Sequence, residues 1–345
     1  MKKVVFIIFI ISGCFGSERV GMLPECDKIG FERIYIDKII GSSFPAIKEY
    51  GFKIRQTPNG DLIFFIPYWG DAYRFDLEGN KKWDLSFNSK SLNREKDEIS
   101  FLGSTTPDFE IIGEKIFFLQ SRNLISEYNL LGEELKTHEL DIQGFLPEKI
   151  QAINDKEMLV FGLSFSNEQY DLTFHKFNLE NGHLELIYKY KLNSKKSTPL
   201  VNLHNDGAFI LEDNGILIKE INFEEKKISR EINLEKSVIR DYEIYKIPEG
   251  NDYWSLSETE RLNFKNDKTK DFIFTEDKIY FFHELNRGNY NKKSGNLLSV
   301  YNFSGELIGE DVFENSVVEV DECDNKFKIE KINGKNFVIN EALNF

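Results

Sequence analysis

Five histidines are scattered along the chain at His138, His175, His183, His204 and His283. No two stand three or four residues apart, and no Cys-x-x-Cys occurs, so the spacing of a metal site is missing. Neither a Gly-x-Ser-x-Gly elbow nor a Gly-rich phosphate loop is present. The histidines are therefore expected in solvated loops, and no metal or cofactor is expected. The acidic pairs Glu133-Glu134 and Glu224-Glu225 fall at expected turns and should be solvated too. Two carboxylates from distant parts of the chain can still converge to hydrolyse or eliminate a glycan. Sequence spacing does not reveal such a pair.

Aromatic chemistry is more plentiful. Tyr68, Trp69, Tyr253, Trp254, Arg287 and Tyr290 lie in segments that interrupt the apolar strand pattern. Planar rings beside polar neighbours can stack on sugars or grip a peptide. The alternative for Trp69 and Trp254 is burial between packed sheets. Cys26 and Cys323 stand at opposite ends of the chain. An oxidising compartment would permit a disulfide between them; two separate thiols are the alternative.

The elements that position these residues are set by a repeated phrase. Tyr73-Arg74-Phe75-Asp76-Leu77-Glu78-Gly79 recurs as Ser126-Glu127-Tyr128-Asn129-Leu130-Leu131-Gly132, as His175-Lys176-Phe177-Asn178-Leu179-Glu180-Asn181-Gly182, and as Val300-Tyr301-Asn302-Phe303-Ser304-Gly305. Lys219-Glu220-Ile221-Asn222-Phe223 is a worn copy that lacks the glycine. Apolar residues two apart share one face of a strand, and Gly supplies the positive φ of a tight hairpin. Copies recur about every 50 residues, with one longer step before Asn302. Four strands per repeat of roughly 40–50 residues is the pattern of a β-propeller.

The expected fold is therefore all-β, a propeller of six blades, with seven as the alternative. Continuous apolar runs such as Leu62-Ile63-Phe64-Phe65, Ile116-Phe117-Phe118-Leu119 and Ile279-Tyr280-Phe281-Phe282 read as second strands buried on both faces. Only three strands follow residue 316, and the alternating stretch 31–36 is unclaimed. Placing that stretch as the fourth strand of the last blade would close the ring without an open edge. The segment 236–270 reads as an insertion, or as a seventh blade. The turns between third and fourth strands are short. The segments 67–71, 88–107, 164–170, 236–270 and 283–296 are longer and would gather on the opposite face, where the aromatics fall.

The N-terminus has Met1-Lys2-Lys3 followed by an uncharged apolar run from Val4 to Ile11. That run is too short to span a bilayer as a helix. Ile11-Ser12-Gly13-Cys14 follows, and it resembles the lipobox of bacterial lipoproteins. The resemblance implies a signal peptide over 1–13, acylation of Cys14, a tether over 14–26 and one propeller domain over 27–345. The lipobox together with the blade pattern resembles the six-bladed, TolB-like propeller lipoproteins of Bacteroidota, whose activity is mostly not established. It implies a cell-envelope protein held by its lipid anchor in the outer membrane, in the periplasmic or surface leaflet.

Composition agrees. The formal charge is −14, a poor match for nucleic acid or anionic lipid heads, so no nucleic-acid partner is expected. With 31 Phe and 14 Tyr against 3 Met, the chain suits strands packed face to face. The expected role is a binding or scaffolding propeller with no catalytic centre. Its partner would be an envelope protein or a glycan. A propeller-type lyase or hydrolase acting on glycans is the alternative. What lines the central opening discriminates between them. Three or more converging carboxylate, His or Tyr side chains would favour the enzyme, and a plugged opening would favour the binding module.

Overall fold

The computed structural model describes residues 33–35, 51–67, 69–87, 108–120, 123–142, 144–166, 169–192, 199–204, 207–212, 216–237, 239–240, 268–275, 277–285, 295–313, 317–320, 326–332 and 335–341. Each of five antiparallel sheets is built from four consecutive strands. Sheet one holds β2 (Lys53–Gln56), β3 (Leu62–Ile66), β4 (Asp71–Phe75) and β5 (Lys81–Ser86). Sheet two holds β6 (Asp108–Ile112), β7 (Lys115–Gln120), β8 (Leu124–Asn129) and β9 (Glu134–Glu139). Sheet three holds β10 (Phe145–Ala152), β11 (Glu157–Ser166), β12 (Gln169–Asn178) and β13 (Leu184–Lys191). Sheet four holds β14 (Leu200–His204), β15 (Gly207–Glu212), β16 (Leu217–Asn222) and β17 (Lys227–Asn233). Sheet five holds β18 (Lys268–Phe274), β19 (Lys278–Leu285), β20 (Gly295–Asn302) and β21 (Leu307–Phe313).

Five blades are thus continuous in sequence, where six or seven were expected. The remaining strands, β22 (Val317–Val320), β23 (Lys326–Ile332) and β24 (Lys335–Glu341), form a further four-stranded sheet with β1 (Arg33–Tyr35). β1 runs antiparallel to β24, with Ile34 opposite Val338. The segment 241–267, where a seventh blade was the alternative, lies outside the described residues.

The recurring Asn or Asp closes each hairpin. The Asn129 Oδ1 accepts the backbone N–H groups of Leu131 (2.9 Å) and Glu133 (3.0 Å). Asn302 does the same for Ser304 and Glu306, both at 3.0 Å. Asp76 accepts Asn80, Asn178 accepts Glu180, and Asn222 accepts Glu225. The side chain folds back on its own turn, rather than simply facing away from its apolar neighbours. The glycines of the phrase all have positive φ, from 74° at Gly182 to 89° at Gly305. In the worn copy Lys226 takes that role at φ 52°. In all five continuous sheets the pairing of the third strand with the fourth slips by one residue, for example between Arg74 and Phe75 and between Val300 and Tyr301. Such bulges strengthen the local twist.

The cores lie between sheets. Ile63 and Phe65 pack with Phe109 and Phe118, joining sheets one and two. Phe117 and Leu119 meet Val160 and Phe177 of sheet three. Phe161 and Phe174 meet Val201 and Ile210 of sheet four. Phe209 and Ile218 meet Phe272 and Phe281 of sheet five. Tyr280 and Val300 meet Val318 and Val320 of the composite sheet. Phe327 and Ile329 of that sheet pack with Phe52 and Phe64 of sheet one. Each buried Phe contributes about 1.5–3 kcal/mol of burial. The order is that of an all-β propeller, in which each sheet buries its faces against its neighbours.

Polar latches add to these seams. In sheet one, the Asp61 carboxylate holds the Arg74 guanidinium at 2.6 Å. Arg74 and the Trp83 indole N–H (2.8 Å) both donate to the Leu130 carbonyl in the hairpin turn of sheet two. Between sheets four and five the Glu235 N–H donates to the Gly305 carbonyl at 2.8 Å.

Two segments differ from the sequence reading. Residues 164–166 and 169–170 are strand rather than open loop. Ser164 pairs with Asp171 and Ser166 with Gln169, so the antiparallel ladder of β11 and β12 extends into this segment. The connection after β3 is drawn in where the Gly70 N–H donates to the Ile66 carbonyl at 2.9 Å. The histidines differ as well. His138, His175 and His283 are buried on strands, and only His183 sits exposed at a turn. Each of the three lies on a sheet face that packs against a neighbour, as Phe and Leu do elsewhere in the repeat.

Candidate functional site at the propeller axis

The first strands of the sheets approach one another around the axis and send four charged side chains inward. The Lys53 Nζ lies 2.5 Å from Asp108 Oδ1, joining sheets one and two. The Lys149 Nζ lies 2.9 Å from Asp271 Oδ1, reaching from sheet three to sheet five. Each carboxylate also accepts one backbone N–H. The Ile150 N–H donates to Asp108 Oδ2 and the Phe272 N–H to Asp271 Oδ1, both at 2.9 Å. The Asn202 amide of sheet four donates to the Phe272 carbonyl at 3.3 Å. Two ammoniums and two carboxylates thus meet in a neutral set.

The electrostatics keep Lys53 and Asp271 charged. Burial alone would lower the Lys53 pKa, but Asp108 and Asp271 outweigh it and hold the ammonium above its ordinary 10.5. Burial alone would raise the Asp271 pKa, but Lys149 and Lys53 hold the carboxyl below its ordinary 3.8. The signs follow by linkage. The contribution of Asp271 is present above pH 3.8 and is lost as pH falls through its depressed value. That of Lys53 is present below pH 10.5 and is lost as pH rises through its raised value. The surrounding protein is dense, yet 16% of the Lys53 side chain and 34% of Asp271 remain accessible. The set is therefore reached by solvent from one end.

A cavity of about 120 Å³ lies at that end. Gly51, Phe52 and Lys53 line it from sheet one, and Lys270, Asp271 and His283 from sheet five. Phe282, Leu298, Phe313 and Val318 form its apolar wall. Lys53 begins β2, His283 stands near the end of β19, and Asn296 near the start of β20. The cavity therefore opens on the side of the second-to-third and fourth-to-first connections, the face expected to carry function. Lys270 pairs with Glu284 at 3.5 Å. Sequence reasoning missed the axial set because Lys53, Asp108, Lys149 and Asp271 belong to four different repeats with no shared spacing.

Among the residues singled out from sequence, Trp69 is described. It is 41% exposed, not buried between sheets, and stands two residues beyond Pro67, which lines the cavity. Tyr68, Tyr253, Trp254, Arg287 and Tyr290 lie outside the described residues, as do Cys14, Cys26 and Cys323. Among the described residues, no three His, Cys, Asp or Glu side chains come together as a metal site. Among them, too, no helix is long and apolar enough to cross a membrane.

No protein-family model matches the chain, and a search of curated proteins finds no match. Among solved structures the chain is similar in fold to BamB from Moraxella catarrhalis, at 9% identity over 84% of each chain with a TM-score of 0.41. It is similar to a protein of unknown function from Bacteroides caccae, at 15% identity over 76% of this chain and 82% of that one, with a TM-score of 0.45. It is also similar to virginiamycin B lyase from Staphylococcus aureus, at 12% identity over 91% of this chain and 88% of that one, with a TM-score of 0.43.

Proposed function

We propose that this chain is a lipid-anchored propeller of the cell envelope, six-bladed and closed by β1, that binds a partner or glycan rather than transforming one. The observation that carries the reading is the axial set. Asp108 and Asp271 are each matched by a lysine, and each also accepts one backbone N–H. An acid–base pair for glycan cleavage needs a carboxyl able to take or give a proton near neutral pH, and the Asp271 carboxyl, held below its ordinary 3.8, does not serve as that acid. The pairing of β1 with β24, and the packing of Phe327 against sheet one, support six blades and closure.

Ligand contact is assigned to the face that carries Trp69, with Tyr68, Tyr253, Trp254, Arg287 and Tyr290 on the same connections. Anchoring is assigned to Cys14, and Cys26 and Cys323 form a disulfide across the closure. Fractionation tests the anchor, since Cys14→Ala should move the protein from the membrane to the soluble fraction. Capture from solubilised envelope tests the face. Trp69→Ala should lose the captured ligand while unfolding within about 1 kcal/mol of the parent, as an exposed residue should. Capture unchanged by Trp69→Ala counts against this face. Alkylation of both Cys26 and Cys323 without reductant counts against the disulfide.

A further inference from the structure

Sheet five leaves open a core position that the other continuous sheets fill. In each second strand one residue pairs with the apolar residue just before the recurring Asn or Asp, as Ile279 does with Tyr301. Three residues further along stand Phe65, Leu119, Phe161, Leu211 and, in sheet five, Phe282. The first four are at most 5% exposed. Phe282 is only partly buried and lines the cavity beside the axis, as does its cross-strand partner Leu298. The facing strand β22 has four residues against eight in β20, so it covers only part of this wall. We propose that the cavity is a subsite for one neutral apolar side chain, about the size of leucine, from a protein partner.

Charge favours a neutral group. The ionised side chains that line the cavity already have partners: Lys53 is matched by Asp108, Lys270 by Glu284 and Asp271 by Lys149. No unmatched charge is left there to hold an ion. The rest of the wall, with Phe282, Leu298, Phe313 and Val318, is apolar. A charged or hydroxyl-rich group placed against it would give up its hydration and gain no partner. An apolar side chain leaves water and fills the space, which is favourable on both counts.

Size sets the other limit. The cavity's 120 Å³ is well below the ~300–1,000 Å³ of a pocket for a whole drug-sized molecule. It is close to the ~150 Å³ of an apolar cavity that holds a single benzene. One side chain therefore fits, while a lipid tail is too long to be housed. The cavity opens on the face of the second-to-third and fourth-to-first connections, where a partner chain can lay one residue into it and keep its backbone outside.

The inference rests on the binding reading above and is tested on the full chain with N-acetyl-leucinamide, a neutral probe carrying one apolar side chain. The methyl resonances of Leu298 and Val318 should shift saturably with it. N-acetylglycinamide and dihexanoylphosphatidylcholine should leave them in place. Val318→Leu, which puts one more methylene into the cavity, should weaken the probe about tenfold or more, read at the Leu298 methyls. Val318→Ile fills the same space should that variant not fold. Val318→Ala enlarges the cavity and should keep the probe bound. Four results would each overturn the proposal: no saturable shift, an equal response to N-acetylglycinamide, a stronger response to the phospholipid, or undiminished binding in a folded filled variant. Polysaccharide binding to the wider face is a separate matter and should survive Val318→Leu. If the probe fails while a polysaccharide still binds, the subsite assignment falls and the binding reading stands.

Discussion

Lys149 and Asp271 lie 122 residues apart in sequence and 2.9 Å apart in space, linking sheet three to sheet five past the sheet between them. An interaction of this reach fixes the spacing of the first strands around the axis. Because about a third of Asp271 remains accessible, solvent screens the pair, and its worth is well below that of a fully buried one. Lys149→Met leaves Asp271 facing Lys53 alone and should cost about 1–2 kcal/mol by denaturant titration. The double variant Lys149→Met, Asp271→Leu should recover most of that loss. A single variant as stable as the parent would show that the pair does not brace the axis.

Gly305 carries the turn of the most complete repeat. Its φ is +89°, and an added Cβ would stand 2.1 Å from the Asn233 carbonyl oxygen. That oxygen is backbone of the preceding sheet, so it cannot swing aside. Gly305→Ala should therefore cost at least the ~1–3 kcal/mol of a strained backbone, plus the repacking of the seam. Gly60→Ala has a similar φ of +88°, but the added Cβ would meet only the Gln56 side-chain nitrogen, at 3.9 Å. It should cost less. Equal costs, read from thermal unfolding, would show that the inter-sheet approach contributes nothing.

The buried histidines give the protein an acid limb of instability. Burial lowers the His175 pKa from 6.5 to about 4, and its ring meets Phe145 edge-on at 5.0 Å. The fold holds this ring neutral, while the unfolded chain takes up a proton below pH 6.5. Its stabilisation is therefore present above pH 6.5 and is lost as pH falls toward 4, by up to about 3 kcal/mol. His138 and His283 are shifted in the same direction and add to the slope. His175→Phe should flatten the fall in stability between pH 6.5 and 4 relative to the parent. Parallel slopes would contradict the assignment.

Much of the fold was legible because it is repeated. The recurring Asn or Asp marks each hairpin by a local mechanism, an Asx side chain on its own turn, so one residue in each copy carries the signal. The second strands announced themselves as apolar runs, and Leu62–Ile66 is buried throughout. The histidines were misread because a lone His carries no periodic signal of its own. His175 sits at a position whose neighbour two along, Phe177, packs on the same seam, and only the packing of the adjacent sheet reveals its burial. The axial set was invisible for a different reason. Lys53, Asp108, Lys149 and Asp271 meet only once the sheets are arranged around the axis. Within each repeat they look like ordinary surface charges at strand beginnings.

The central claim is that this axis braces a binding face and does no chemistry. The most direct measurement incubates the protein with acidic and neutral envelope polysaccharides, following binding and the release of new reducing ends or unsaturated sugars in the same samples. The account predicts saturable binding with no product, and Asp271→Asn should leave both results unchanged apart from stability. Product released by the parent protein and abolished by Asp108→Asn or Asp271→Asn would contradict it, because those carboxylates would then be catalytic.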